Sequence, residues 1–324
     1  MSHVVREWLA ANPAGRATAV DLTPPDAVVQ AFWSPVADRI AFHAGDVTDV
    51  ALWQHLAADA AEVTHVVHGA AVTSINRLTR GPDGQADPAG ALPALEANIM
   101  GTAGLLAWAA ERTRLRRLVY VSSGSVYRGA GPDPLPEEGY VEPTGLYPIS
   151  KHAGELLTAQ MAAQFGLPAV SVRLSGVYGP LDRETTTRAV TPVVFKLLRG
   201  AMDRQTLRLA GLDAVGDYIH AGDVGRAIAA LLACHEIRHP VYNVAYGEAV
   251  TLRDLAALVQ DLVPGAEWTE AAADGADVAL DPTLRSGRWG AYDISRIRRD
   301  AGWAPRPLSD ALADYRDWLA QHPY

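Results

Sequence analysis

The chain has 324 residues but a single cysteine, Cys234. One cysteine excludes an internal disulfide and any metal site that needs several thiolate ligands. The histidines show no spacing typical of metal ligands either, so we expect no bound metal. Cys234 lies in the apolar run AIAALLACHE (227–236), which is typical of an inert, buried thiol rather than a nucleophile.

Lysine is scarce as well. Lys151 and Lys196 are the two lysines among 28 basic residues, so arginine supplies the ordinary surface cations and each lysine invites a functional explanation. The net charge is −9, and no cluster of Lys and Arg indicates a nucleic-acid surface.

Long hydrophobic runs are absent too. No apolar run approaches the roughly 18 residues of a membrane span. The first ten residues, with Arg6 and Glu7 in an amphipathic run, do not resemble a signal peptide. We therefore expect a cytoplasmic protein with a small-molecule substrate and with neither a nucleic-acid nor a membrane partner.

The sequence does contain an alternation of short apolar runs with amphipathic stretches up to about residue 176. The predicted strands are nearly continuous apolar runs, which favours an α/β fold with a parallel sheet covered on both faces. Strands are predicted at 16–22, 39–47, 62–71, 117–123, 167–175 and 241–245, and helices at 1–10, 51–59, 95–113, 146–165, 193–200, 222–235, 251–263 and 309–321. Thr251 and Ser309 are predicted helix caps, and residues 74–93, rich in Gly, Pro and Asp, a surface loop.

The strongest chemical signal is the stretch YPISK, which places Tyr147 and Lys151 on one helix face. An ammonium group near a phenol favours the phenolate and lowers the tyrosine pKa toward neutral pH. Strand-end serines lie about twenty residues upstream, and their hydroxyls can hold a substrate oxygen. The pattern predicts a proton-transfer site beside a hydride acceptor.

Ten stretches in the same chain order resemble the extended short-chain dehydrogenase/reductases of the NAD-dependent epimerase/dehydratase type. This resemblance implies a Rossmann-like, doubly wound parallel sheet with a smaller C-terminal substrate-binding region. It places the NAD-binding domain at 1–175 and a mainly substrate-binding domain at 176–324, with 217–245 returning to the first. The matching stretches are VDL (20–22), AGDVTD (44–49), VVHGAA (66–71), ANIMGT (97–102), YVSSGSVY (120–127), YPISK (147–151), RLSGVYGP (173–180), DYIHAGDV (217–224), VYNVA (241–245) and DISRIRRDAGWAP (293–305).

The resemblance also implies roles for single residues. Tyr147 is the expected acid/base and Lys151 its partner, which also binds the nicotinamide ribose. Ser123 is the expected catalytic hydroxyl, with Ser122 and Ser125 as alternatives, and Asn98 the supporting amide. NAD is the expected cofactor, and its other predicted contacts are Asp21, Leu22, Asp46, Val47, Gly69, Ala70 and Ala71. A carboxylate at Asp21 would accept hydrogen bonds from the adenosine ribose and repel a 2′-phosphate.

Two departures from the family pattern concern the substrate. Gly176 stands where nucleotide-sugar epimerases usually have Asn, and Gly216 where an Arg commonly precedes the D-x-x-H block. The absence of this Asn and this Arg weakens the expectation of a UDP- or dTDP-sugar substrate, although Arg183, Arg188 and Arg208 are nearby cations. His220 is expected to be structural.

A third departure is at the N-terminus. Ser2–Val5 match the residues that follow the family's glycine-rich turn, and neither that turn nor the strand before it is in the sequence. Two explanations stay open: a start upstream of Met1, or a natural absence that leaves an unfilled slot in the sheet. We expect weaker NAD binding in either case.

We therefore expect an NAD-dependent oxidoreductase or epimerase acting on a sugar or polyol-like hydroxyl. The alternative is a non-catalytic dinucleotide-fold binding protein. The family also implies a homodimer formed by the Asn98 and Tyr147 helices. The apolar residues Leu105, Leu106, Trp108, Leu156 and Leu157 are compatible with this interface and equally with burial against the sheet.

Overall fold

The computed structural model describes residues 1–59, 62–73, 75, 85, 87–127, 133–183, 192–280 and 290–322. The helices are α1 (Ser2–Ala11), α2 (Ala27–Trp33), α3 (Val50–Asp59), α4 (Leu92–Leu95), α5 (Gly101–Ala110), α6 (Leu146–Phe165), α7 (Val193–Met202), α8 (Ala221–Ala233), α9 (Leu252–Leu262), α10 (Ser295–Ala301) and α11 (Leu308–Gln321). A π-helical turn, Glu96–Met100, joins α4 to α5.

Thirteen short strands lie in the described ranges. They are β1 (Ala17–Asp21), β2 (Ile40–Ala44), β3 (His65–His68), β4 (Arg117–Ser123), β5 (Ala169–Leu174), β6 (Gly176–Tyr178), β7 (Thr206–Ala210), β8 (Val215–Gly216), β9 (Tyr218–His220), β10 (Val241–Val244), β11 (Val250–Thr251), β12 (Glu267–Glu270) and β13 (Val278–Ala279).

Four parallel strands form the central sheet in the order β10-β5-β4-β3. On β4, Leu118 and Tyr120 pack against α5, while Val119 and Val121 pack with residues of α8 on the other face. This alternation follows from the two-residue period of a strand. The predicted doubly wound α/β sheet is therefore confirmed.

The pair β1–β2 is also parallel, with Ala17 opposite Ile40. Among the described residues, β1 pairs with β2 and β3 with β4, so the β1–β2 pair and the four-stranded central sheet are separately hydrogen-bonded pieces. Helix α1 contacts both pieces, because it packs on β1 while Val4 and Trp8 join the core that includes Val67 of β3.

A second core lies beyond residue 176. Strand β7 lies between β12 and β13 in a three-stranded parallel sheet, and α7, α9 and α11 pack around it. Strand β9 pairs with β6, whereas α8 and β10 extend the first core, with β10 beside β5. The division into two domains at residue 175 stays a prediction.

Three local predictions can be compared with the structure. Thr251 does cap α9, because its Oγ accepts a hydrogen bond from the Asp254 amide at 3.0 Å. Ser309 is not a cap, since α11 already begins at Leu308 after Pro307. The segment predicted as a loop at 74–93 includes the start of α4 at Leu92; residues 74, 76–84 and 86 lie outside the described residues.

Cys234 differs from its predicted burial. It follows the last residue of α8 and is partly exposed, with Sγ donating to the Glu236 and Asp300 carbonyls at 3.0 and 3.1 Å. Within the described ranges, every helix is too short or too polar to span a lipid bilayer.

Candidate active site

Tyr147 and Lys151 lie one turn apart near the start of α6. The helix begins directly after Gly145, whose φ of +100° favours glycine. Lys151 is 3% exposed, and its Nζ donates to the Val121 carbonyl of β4 at 2.8 Å. This bond ties α6 to β4 of the central sheet.

The surroundings of Lys151 disfavour its charge. Burial lowers the pKa of the ammonium to about 8, although the Glu155 carboxylate acts in the opposite direction. The Nζ also lies 5.2 Å from the centre of the Tyr120 ring, a distance at which a cation is attracted to the ring face. The group is thus a buried cation one turn from a partly buried phenol.

Ser123 ends β4 and begins a tight turn, Gly124–Val126, against which α6 packs. Its Oγ accepts hydrogen bonds from the Ser125 amide at 3.2 Å and the Ser125 hydroxyl at 3.0 Å. A side chain at Gly124 would overlap the Tyr292 hydroxyl, so the turn is closely packed. Ser122 is 3% exposed, whereas Ser123 and Ser125 are half-buried and therefore more accessible.

Asn98 lies in the π-helical turn and is 1% exposed. Its Oδ1 accepts from the Val72 amide at 2.8 Å, and its Nδ2 donates to the Val72 carbonyl at 3.1 Å and to Ser150 Oγ at 2.9 Å. Asn98 therefore joins the loop after β3 to α6. Such π-turns are frequent at functional sites.

Sequence reasoning missed His68, which extends this network. His68 ends β3, is 2% exposed, and its Nε2 lies 2.9 Å from Thr102 Oγ1. Thr102 in turn donates to the Asn98 carbonyl at 2.7 Å. Burial and the nearby Lys151 charge lower the pKa of His68 to about 3, so the ring is neutral. The histidine inside the strand HVVH was the signal that could have revealed it.

Sequence reasoning also missed a buried ion pair behind Lys151. Glu155, one further turn along α6, accepts two hydrogen bonds from Arg173 of β5. Each residue is 4% exposed. The continued i, i+4 spacing after Lys151 was a possible signal for Glu155, but nothing local in the sequence indicated its partner.

The predicted adenosine contacts follow the carboxyl ends of β1 and β2. Asp21 and Leu22 are exposed, and Asp21 Oδ1 accepts from the Thr23 amide at 3.3 Å. Asp46 Oδ1 accepts from the amide and the hydroxyl of Thr48, both at 2.8 Å. The half-buried Val47 packs on Gly101, where an added Cβ would lie 2.5 Å from Val47 Cγ2.

Gly69, Ala70 and Ala71 follow β3 at the same edge and are half-buried. A side chain at Gly69 would overlap the side chain of Met1, so α1 starts beside this loop. The first turn of α1 has no side-chain cap. These positions lie at or just after the carboxyl ends of β1, β2 and β3, and their contacts with a cofactor stay predictions.

A comparison with protein-family models decides the affiliation. The model of the NAD dependent epimerase/dehydratase family matches residues 2–245. The chain belongs to this family. It is therefore an enzyme that uses NAD, which confirms the resemblance, the enzyme class and the cofactor inferred from the sequence and disfavours the non-catalytic alternative.

Curated relatives with named activities align over different lengths. A dTDP-glucose 4,6-dehydratase of Streptomyces antibioticus is 29% identical over 321 residues, which cover 98% of this chain and 88% of that protein. The Probable GDP-L-fucose synthase 1 of Oryza sativa subsp. japonica is 26% identical over 222 residues, or 64% of this chain and 63% of that protein.

Solved structures share the fold over nearly the whole chain. UDP-glucose 4-epimerase from Thermotoga maritima superposes with a TM-score of 0.78 at 22% identity and covers 100% of this chain and 96% of its own. A dTDP-glucose 4,6-dehydratase from Streptomyces venezuelae, solved with NAD bound, has a TM-score of 0.75 at 25% identity. The match covers 99% of this chain and 94% of that one.

The residues of this family member fit NAD in chemical type. Exposed carboxylates at Asp21 and Asp46 match ribose and adenine donors, and the uncapped amides at the start of α1 match an anionic pyrophosphate. The absence of a side chain at Gly69 allows close approach beside that helix start. The buried Lys151 ammonium stands at the opposite, acid/base end.

Both glycines that depart from the family pattern lie against Tyr218. A Cβ on Gly216 would be 2.7 Å from Tyr218 Cζ, and one on Gly176 would be 3.3 Å from Tyr218 Cδ1. The tyrosine ring thus fills the space beside both positions. A larger side chain at Gly216 would require this ring to move, whereas one at Gly176 would first meet the Asp217 carbonyl oxygen at 3.0 Å.

The basic residues near this region have other partners. Arg183 pairs with Asp26, and the exposed Arg208 pairs with Asp277 at 2.8 Å; Arg188 lies outside the described residues. The buried His220 caps α8, since its Nδ1 accepts from the Gly222 amide at 3.0 Å. Burial and then Arg306 lower the pKa of His220 to about 2, so the ring is neutral.

Proposed function

We propose that the enzyme oxidises a hydroxyl of a sugar or polyol-like substrate, with Tyr147 as the acid/base. The observation that carries this proposal is the buried Lys151 ammonium, held by β4 one turn from Tyr147 beside the serine turn. NAD⁺, held at the proposed cofactor edge by residues such as Asp21, Asp46 and Lys151, would supply the acceptor for the hydride that leaves the substrate carbon. The Tyr147 oxygen takes the hydroxyl proton, and the Lys151 charge stabilises the phenolate that accepts it.

The other side chains orient the substrate and the catalytic helix. Ser123 Oγ, already accepting from Ser125, donates its own proton toward the substrate oxygen. Asn98 acts through Ser150 and the loop after β3, and holds α6 in place. Asp21, Leu22, Asp46, Val47, Gly69, Ala70 and Ala71 line the proposed cofactor edge, together with Tyr147 and Lys151.

Nucleotide sugars are the first substrates to test, because the named relatives carry dTDP-glucose and GDP-sugar activities. The tyrosine ring over Gly176 and Gly216 supports testing sugars and polyols without a nucleotide in parallel. An increase in NADH absorbance would identify a dehydrogenase. NMR of the product would identify an epimer or a dehydrated sugar that forms without net production of NADH.

The assignment of Tyr147 is tested by Tyr147→Phe, which keeps the ring and removes the proton carrier. We expect turnover to fall by at least about 100-fold. Tyr140→Phe is the matched control, because Tyr140 is 64% exposed and should keep full activity. Unchanged turnover in Tyr147→Phe would refute the assignment. A wild-type chain that binds NAD but converts no member of the panel would favour a binding role.

We further propose a homodimer formed by α5 and α6. Of the apolar residues considered for its interface, Leu105 and Leu106 are instead buried against β4, while Trp108 and Leu157 are half-buried. Leu156 and Ile149 of α6 are 58% and 45% exposed, and Met100, the last residue of the π-helical turn before α5, is 62% exposed. An apolar surface of this kind is typical of an interface.

Light scattering after size-exclusion chromatography tests the dimer. Leu156→Glu should give a monomer, because it places a charge in the apolar contact. Val50→Glu, at a residue 67% exposed on α3, should stay dimeric. A wild-type monomer would contradict the proposal. The proposed cytoplasmic location rests on composition and on the single thiol, and fractionation of native cells would test it.

A further inference from the structure

The Glu155–Arg173 pair has no part in the mechanism above, yet it is among the most buried polar contacts beside the catalytic residues. Arg173 Nε donates to Glu155 Oε1 at 2.9 Å, and a second guanidinium nitrogen donates to Oε2 at 2.8 Å. Removing two charges from water is unfavourable, and such a pair is often no more stabilising than apolar residues of the same volume. Its presence behind Lys151 therefore calls for a role other than stability.

Arg173 is held on its remaining sides. Another guanidinium nitrogen donates to the Glu137 carbonyl at 2.9 Å, and its Cζ lies 4.5 Å from the centre of the Tyr127 ring. Tyr127 in turn donates to Asn243 Oδ1 at 2.8 Å. These contacts hold the guanidinium in place, and its bidentate hydrogen bonds hold the Glu155 carboxylate in turn.

Glu155 is also a permanent anion. Burial raises its pKa, but hydrogen bonds from Arg173 and His152 and the Arg173 charge outweigh burial and lower the pKa to about 2. It lies one turn beyond Lys151 on the same helix face. A fixed negative charge therefore stands beside a buried ammonium.

The other groups around Lys151 supply no comparable charge. His68 on β3 is neutral, and burial raises the pKa of Tyr120 on β4. Tyr147 on α6 is the group that reacts, and Arg173 on β5 stands behind Glu155. In the described part of the chain, Glu155 is thus the permanent anion that faces Lys151.

We propose that Glu155 is a positioning residue whose carboxylate, fixed by Arg173, keeps the Lys151 ammonium charged in its buried site. This inference rests on the proposed function, since it gives the pair a role in the acid/base chemistry of Tyr147. Without the carboxylate, the buried site would favour the neutral amine, and Tyr147 would lose its cationic partner at a lower pH. The pair would then set the upper pH limit of the active form.

The chain offers an unusually clean test, because Lys151 and Lys196 are its two lysines. Protein labelled with [ε-¹³C]lysine gives two Cε signals, and the variant Lys196→Arg assigns them. The shift of the Lys151 signal with pH then reports its protonation directly, with no substrate required. In Glu155→Gln we expect the midpoint to fall by about one to three pH units, the usual effect of a nearby opposite charge.

Glu137→Gln is the matched control. Glu137 is buried in the same network, where its carboxylate accepts from the Asn243 amide at 3.0 Å. Its removal disturbs packing near Arg173 but should leave the Lys151 midpoint in place. Equal shifts in both variants would indicate a general structural effect and overturn the inference, as would an unchanged midpoint in Glu155→Gln.

Glu155→Gln leaves Arg173 without its anion and can unfold the protein. In that case the double variant Glu155→Gln/Arg173→Met is measured. It removes both charges, and we expect a smaller fall in the Lys151 midpoint, because loss of the Arg173 cation offsets part of the loss of the carboxylate. A double variant with the wild-type midpoint overturns the inference. If the midpoint falls but the pH profile of turnover does not follow it, the inference on Glu155 stands and the proposed role of Lys151 in the reaction is wrong.

Discussion

The two ends of the proposed cofactor site are built in different ways. At the acid/base end, Lys151, Asn98, Glu155 and Arg173 are each at most 4% exposed and are joined by hydrogen bonds between separate elements. At the adenosine end, Asp21 and Asp46 are exposed, and their carboxylates bond to residues two positions along the chain. The first end is organised by the protein interior, the second by local turns.

This contrast teaches where positional accuracy is required. A proton carrier must be placed within hydrogen-bond reach of its substrate, and buried partners restrict its movement. A ribose-binding carboxylate needs only to be accessible at a strand end. We therefore expect substitutions at the acid/base end to reduce stability and activity together, and substitutions at the adenosine end to act mainly on binding.

The largest loss of stability should come from Arg173→Met, which leaves Glu155 buried and unpaired. Breaking a buried ion pair from one side lowers the free energy of unfolding by about 3–5 kcal/mol. Urea denaturation measures this loss. Glu155→Gln/Arg173→Met is the control and should recover most of it, since no lone charge remains. Equal losses in the two variants would show that packing, rather than the charge pair, organises this end.

A somewhat smaller loss is expected for Asn98→Ala. It removes three hydrogen bonds and leaves the Val72 amide and carbonyl without their side-chain partner, which costs about 2–4 kcal/mol. The melting temperature, measured by thermal denaturation, and turnover should fall together. Ser150→Ala removes one of these bonds and should lose about 1 kcal/mol. A stable, inactive Asn98→Ala would indicate direct contact with the reaction instead.

At the adenosine end, Asp26→Ala should have a moderate effect. Asp26 caps α2 by accepting from the amides of Val28 and Val29, and loss of such a cap costs about 1 kcal/mol. Thr251→Ala, which removes the cap of α9, is the matched control in the second core and should lose about as much. A loss several times larger for Asp26→Ala would contradict the view that this end is organised locally.

The smallest change in stability should come from Asp21→Ala, within about 0.5 kcal/mol, because the side chain is exposed. The affinity of the Asp21→Ala variant for NAD should nevertheless fall about tenfold, since a hydrogen bond to a charged group contributes about 1.5–3 kcal/mol. Calorimetric titration with NAD measures this change. Asp38→Ala, at an exposed carboxylate before β2, should bind NAD like the wild type. Equal affinities of the two variants for NAD would show that Asp21 does not contact the cofactor.

Where sequence-based prediction failed, the cause was missing spatial information. The run GTAGLLAWAA of α5 is apolar nearly all round, so its pattern could not distinguish the core side from the outer side. The pattern therefore left Leu105 and Leu106 open to an interface or to burial against the sheet, and the structure shows them buried against β4. Ser309 resembled a helix cap, but α11 begins one residue earlier.

The sequence by itself determined the α/β fold class and proposed Tyr147 and Lys151 as the acid/base pair, because hydrophobic period and residue spacing act over a few residues. Tertiary structure decided which partners those residues have. Asn98 reaches Ser150 across 52 positions, and Arg173 reaches Glu155 from a neighbouring strand. Such contacts depend on strand order and on the faces that pack together, and a buried charge acquires its partner only when those faces meet.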